Sequence, residues 1–158
     1  MSYAITRKEK GDDGYFTVSW SPLVRADKYE IHKKVPAMGG VAELYYRDAA
    51  GRLFLFRIAR SWYGGLRAIL REGTDPELER DERLRAITTE HKDRLYYRYS
   101  LCESSKDIDD VLFFLYESLS PGEHKAAHSG RYERIFLEEI DGGEEKEPPT
   151  AVRARNKG

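Results

Sequence analysis

The sequence predicts a mixed α/β fold of the α+β kind, a small, mainly antiparallel sheet with helices packed on it. Three observations carry this. Residues 41–47 and 52–59 are two runs of strand character separated by Asp48-Ala49-Ala50-Gly51, where Gly51 can take the positive φ that a hairpin turn asks for. Residues 108–119 are apolar around most of a helical circumference and follow a capping signal, Ser104 with Asp107. Residues 15–20, 95–101 and 132–140 add strands in which side chains of two kinds alternate.

In chain order, Gly11 to Gly14 is a polar turn, and the run after it places Phe16, Val18 and Trp20 on one side with period two. Ser21-Pro22 breaks this strand. Asp27 precedes one or two helical turns over 28–35, anchored by Tyr29 and Ile31 or Val35, which end at Val35-Pro36. In the first hairpin strand Val41, Glu43, Tyr45 and Arg47 share one side, and Ala42, Leu44 and Tyr46 the other. The return strand is apolar on both sides except at Arg57, which predicts a central position in a sheet covered on both faces. Leu66, Ile69 and Leu70 lie at helical spacing, with Arg67 and Arg71 one turn apart, and Gly73 ends that helix. Thr74, Pro76 and Glu77 predict the start of a charged surface helix, steadied by Glu79 with Arg83 and Asp81 with Arg85. The helix over 108–119 is expected to pack on the hairpin sheet, which the first and last strands extend.

A chain of 158 residues, 40% of them hydrophobic, is sized for one domain with one core, here residues 1–140, and residues 141–158 hold almost nothing to bury and read as a disordered tail. The 27 basic and 28 acidic residues nearly cancel, so any attraction to nucleic acid has to be local, and no membrane partner is expected. The start of the chain lacks the apolar core of a signal peptide, and the longest apolar run, 111–116, is far short of the roughly 20 residues that span a bilayer. The expected compartment is the cytoplasm. Cys102, alone, suits a reducing compartment and reads as a small buried filler.

The element order strand, strand, helix, helix, strand, helix, opening on Val35-Pro36 and Gly40-Val41, resembles the catalytic domain of the GIY-YIG endonuclease superfamily over residues 35–124. The segment 66–72 is similar to that family's arginine-bearing helix, and Pro121 with His124 to its Pro-x-x-Asn ending. The resemblance implies a tyrosine in each tripeptide, an arginine on the following helix, a glutamate on the last helix and one divalent metal, which together activate water and hold phosphate. Each position departs from this pattern. The tripeptides read Gly40-Val41-Ala42 and Arg57-Ile58-Ala59, Ile69 stands at the arginine's place, Gly73 at that of a frequent histidine, and Leu112 near the glutamate. Arg67 matches only without a gap.

These departures predict a non-catalytic domain that needs no cofactor, a GIY-YIG-like remnant binding DNA, RNA or phosphate. The candidate contacts are Arg57, Arg60, Trp62, Arg67 and Arg71, guanidinium groups for phosphate and an aromatic ring for a base. A solvated helix face with core aromatics is the plainer reading of the same residues. One alternative is a nuclease with relocated groups, Tyr45 or Tyr63 as base, Arg67 on phosphate, and Asp109 or Asp110 on a divalent metal such as magnesium. Asp109 and Asp110 otherwise read as acids satisfying the helix dipole. Another alternative is a protein-interaction module with an exposed aromatic patch. Arg57, costly inside an apolar strand, is expected to pair with Glu43, a ligand anion being the alternative. His124 and His128 read as a solvent-exposed loop in preference to a metal site.

Overall fold

The computed structural model describes residues 3–61, 64–141 and 150–154, the side chains of Thr150 and Ala151 excepted. Trp62 and Tyr63, each a candidate site residue, lie outside them. Among the described residues the fold is α+β, with four helices and eight strands in two sheets. None of these helices is long and apolar enough to cross a membrane. The chain divides into two compact units: an outer unit, Met1–Ser21 with Ser100–Gly158, and an inserted unit, Pro22–Tyr99. Residues 35–124, the span of the resemblance, therefore draw on both.

The inserted unit carries β3 (Val24–Arg25), α1 (Lys28–Lys34), β4 (Gly40–Arg47), β5 (Leu53–Arg60), α2 (Gly65–Gly73), α3 (Glu82–Glu90) and most of β6 (Leu95–Leu101), with strand order β3-β6-β4-β5. The expected hairpin is present, and β4 pairs antiparallel with β5 from Val41↔Arg60 to Arg47↔Leu53. Its turn is held by Asp48, whose carboxylate accepts from the Ala50 and Arg52 amides, and Gly51 has φ +81°. The register steps by one residue between Leu44 and Tyr45, leaving Phe56 as the extra residue of a β-bulge on β5. Tyr46 stacks on Phe54 and on His91.

Several expectations are corrected here. Among the described strands β5 is an edge, and Leu53 and Phe54 are 37% and 38% exposed. Its apolar character reflects a strand whose C-terminal half is buried, as Ile58 and Ala59 are, while its start is open. In α1, capped by Asp27, Ile31 and Val35 are the anchors, and Tyr29 points to solvent at 73% exposure. The helix expected from Thr74 begins at Glu82 instead, with Asp81 as its cap. Thr74 does not cap because its hydroxyl donates to the Leu70 carbonyl (2.6 Å), and Asp75 organises a turn before α3.

The outer unit builds a second sheet, order β1-β2-β7-β8, from β1 (Ile5–Lys10), β2 (Asp13–Trp20), β7 (Arg134–Asp141) and β8 (Thr150–Arg153). The first and last strands thus form their own sheet and do not extend the hairpin's. Residues 150–153, expected to be tail, pair antiparallel with β7. The pairing of β2 with β7 is parallel, which requires a crossover, and the crossover contains the whole inserted unit and α4 (Ser105–Leu119). Contacts of α4 with β7 and β8 place it on this sheet, whereas α2 is the helix on the hairpin. Ser104 caps α4, accepting from the Asp107 amide (3.2 Å), as the capping signal requires. Phe16, Val18, Trp20, Ile135 and Leu137 fill the face under α4, each worth about 2 kcal/mol of apolar burial.

Candidate nucleic-acid interface

The arginines singled out in the sequence are held by the protein itself. Cross-strand partners share a face, so Leu44↔Arg57 and Glu43↔Ile58 put Arg57 and Glu43 on opposite faces of the sheet, and the expected pair cannot form. Arg57 pairs with buried Glu79 at 3.1 Å across Gly73 of α2, where a Cβ would lie only 3.3 Å from its guanidinium. Glu43 instead meets Arg98 of β6 at 2.5 Å and accepts from the Tyr45 hydroxyl at 2.8 Å. Arg67 donates to the Val35 carbonyl (2.8 Å), and Arg71 stands 3.9 Å from Asp75. Arg60 is half-buried opposite Val41. A cleft of about 390 Å3 beside the Arg57–Glu79 pair is lined by Glu72, Leu78 and Arg80. It has as many acids as bases and no local cationic excess.

The relocated nuclease groups do not gather in one unit. Tyr45 and Arg67 belong to the inserted unit, and Asp109 and Asp110 to the outer one. Asp110 is 1% exposed and accepts from the Ser129 amide (2.7 Å), the Ser129 hydroxyl (2.8 Å) and Arg131 (2.8 Å), so it serves a buried network and not the helix dipole. Asp107 joins Arg131 to Arg7, and the Tyr132 hydroxyl, its pKa pushed up by burial and by the bond it donates to Glu9, completes the set. Ala42 and Leu112, at two catalytic positions of the resemblance, are buried. His124 and His128 lie in a loop, as expected, but are half-buried and not solvent-exposed: both rings meet Phe113 edge-on, and His124 bonds Glu117 at 2.5 Å. Among the described residues no group of three His, Cys, Asp or Glu side chains is placed to hold a metal ion. Cys102 is buried, which pushes its thiol pKa up.

A different surface joins half-buried aromatic rings with exposed cations. Arg7 of β1 reaches Asp107 of α4, so the face of β1 that carries Arg7 is the covered one, and Lys8 lies on the opposite face. Register then arranges that open face in three cross-strand rows: Thr6, Thr17 and Glu138; Lys8, Tyr15 and Phe136; and Lys10, Asp13, Arg134 and Arg153. Four cations face two acids. Asp13 holds Arg134 at 2.8 Å, while Lys8, Lys10 and Arg153 are exposed. Tyr15 and Phe136 stack with centroids 4.5 Å apart and planes 8° from parallel, and Arg134 lies over Phe136. Two concavities meet at Tyr15. One of about 640 Å3 is lined by Lys10, Arg134 and Arg153 together with Asp12, Asp13 and Glu133, three bases to three acids, and one of about 200 Å3 by Thr6, Lys8, Thr17, Phe136 and Glu138.

Sequence reasoning passed over this face. The signal was present in the alternation, since Tyr15 and Phe136 fall on the polar side of strands whose other side is Phe16-Val18-Trp20 and Ile135-Leu137. An aromatic ring on the solvent side of a strand is the informative exception.

The fold and this face define a two-unit α+β protein with an open, aromatic and cationic sheet surface. Residues 4–157 match a protein family described as "Uncharacterised protein", and the chain belongs to that family. No curated protein and no solved structure matches it.

Proposed function

We propose that the protein is a non-catalytic nucleic-acid-binding protein, in which a GIY-YIG-like segment has lost hydrolysis and contact is made by the open face of the outer unit. The observation that carries this reading is the Lys8, Tyr15 and Phe136 row lying beside the row of Lys10, Arg134 and Arg153. Cations that track a phosphate backbone next to a ring open enough to meet a base are what sequence-tolerant binding to polynucleotides requires, and Tyr15 and Phe136 are half-buried. The element order β4, β5, α2, α3, β6, α4 supports the resemblance, and buried Ala42 and Leu112 at two of its catalytic positions support the loss of chemistry.

The test is a titration of the purified chain with fluorescent DNA and RNA oligonucleotides over a range of salt. With three or four cations on phosphate, log affinity should fall against log salt with a slope of roughly −2 to −3 on single strands. With magnesium or manganese present, the same oligonucleotides stay intact. Absence of binding at low ionic strength would overturn the reading. It would favour a protein-interaction module, for which exposed Leu53 and Phe54 at the start of edge strand β5 are the specific observation.

A further inference from the structure

Resting on that reading, we infer that the concavity between Tyr15, Lys8 and Glu138 takes one unpaired nucleobase that carries an exocyclic amino group, so that the ligand is single-stranded and the preferred base is cytosine over thymine or uracil. The inference comes from how unequal the two ends of the face are. Lys10, Arg134 and Arg153 gather at one end, in the row that also holds Asp13. The opposite row is Thr6, Thr17 and Glu138, two hydroxyls and a carboxylate. A rail for duplex phosphates would be cationic along its length, and a carboxylate there repels phosphate. The same carboxylate accepts N–H donors from a base edge, and the cytosine N4 amino group is its usual partner.

Stacking geometry places the base. Phe136 covers the face of Tyr15 that looks toward β7, at 4.5 Å. The smaller concavity, about 200 Å3, lies between the Lys8, Tyr15 and Phe136 row and the Thr6, Thr17 and Glu138 row, with Thr6 and Lys8 on its β1 side and Phe136 and Glu138 on its β7 side. A base inserted there lies against the Tyr15 and Phe136 rings. Its edge then looks along β2 to Thr17 and Glu138, whose side chains are already in register and 3.4 Å apart. From that base the backbone leaves toward the larger concavity, where exposed Lys10 and Arg153 are the groups to meet phosphate, beside Asp12, Asp13 and Glu133. A base in a duplex has both faces stacked and its pairing edge occupied, so it cannot enter.

Cytosine and thymine are similar in size and differ at position 4, amino against carbonyl, which makes dC12 and dT12 the discriminating probes. The full chain is expected to bind dC12 about tenfold more tightly than dT12, the worth of one good base-edge contact, and both more tightly than a duplex of equal length. Glu138→Val, which suits a strand, should reduce the preference to within about twofold while dT12 affinity is kept or raised. Glu138→Gln, with a carbonyl acceptor of the same reach, should keep a preference. Salt-dependent binding in which dC12 and dT12 are equal, or duplex is tighter, overturns this inference and leaves the broader reading standing. Binding of none of the three at low salt removes both.

Discussion

Replacing Asp110 by alanine tests the buried network that ties α4 to the strand-bearing half of the outer unit. The carboxylate is 1% exposed and accepts three hydrogen bonds, from the Ser129 amide, the Ser129 hydroxyl and Arg131. Truncation leaves the Ser129 amide without its acceptor, at a cost of about 1–3 kcal/mol. Removing one partner of a buried ion pair costs about 3–5 kcal/mol when the other is stranded. Arg131, however, keeps Asp107 at 2.8 Å and the Ser129 hydroxyl at 2.9 Å, which lowers that figure. The net expectation is a loss of about 3 kcal/mol for Asp110→Ala and about 1 kcal/mol for Asp110→Asn, which retains an acceptor for the Ser129 amide. Urea unfolding in a Trp62→Phe background reads this directly, because Trp20, buried in the outer unit, is then the only indole. With a slope near 1.5 kcal/mol per molar urea, the midpoint for Asp110→Ala should fall by about 2 M. The comparison is Lys106→Ala, exposed on the same helix, expected within about 0.5 kcal/mol of the parent. An Asp110→Ala midpoint indistinguishable from that of Lys106→Ala would refute the assignment of Asp110 to a buried network.

Two further perturbations address the inserted unit. Gly65→Ala should unfold it or lower its stability by several kcal/mol, because φ is +69° and a Cβ would sit 2.4 Å from the Ala37 carbonyl carbon, seen as loss of Tyr97 and Leu66 packing by NMR or of near-ultraviolet dichroism. The Tyr97 phenol, pushed up to about 12 by burial first and by the nearby Tyr99, Glu30 and Asp27 after it, holds its proton more tightly folded than unfolded. Its contribution to stability is therefore complete below about pH 10, the unfolded value, and lost as pH rises through about 12, so unfolding midpoints should fall over that window and Tyr97→Phe should flatten the fall.

The hairpin, the caps of α1 and α4, and the apolar side of β2 were legible in the sequence because each follows from local chemistry: period two, a turn glycine, an Asp or Ser before a helix. The parallel pairing of β2 with β7 was not, since Asp13 and Arg134 are 121 residues apart in sequence and nothing local marks them as partners. Nor was β1, where Ile5 is the only apolar residue of Ile-Thr-Arg-Lys-Glu-Lys and no alternation marks a strand. The fate of Arg57 shows how a single register decides a site. Its apolar setting signalled a need for a carboxylate, but the choice between Glu43 and Glu79 depended on which face it shared. For the candidate interface, the side chains were visible as alternation, while their meeting required the pairing of strands more than a hundred residues apart in sequence.

The most direct measurement of where nucleic acid is held compares two variants of the full chain in the same low-salt titration with dC12. Tyr15→Ala removes the ring that carries the stack, and Arg67→Ala with Arg71→Ala removes the arginines of α2, already engaged with Val35 and Asp75. Loss of one stacking contact is worth about 1–3 kcal/mol, so Tyr15→Ala should weaken binding by about tenfold or more with its far-ultraviolet dichroism unchanged. The α2 double variant should stay within about twofold of the parent and keep its salt slope. The opposite result, with Tyr15→Ala binding like the parent and the α2 variant losing affinity, would contradict the account and return the interface to the inserted unit.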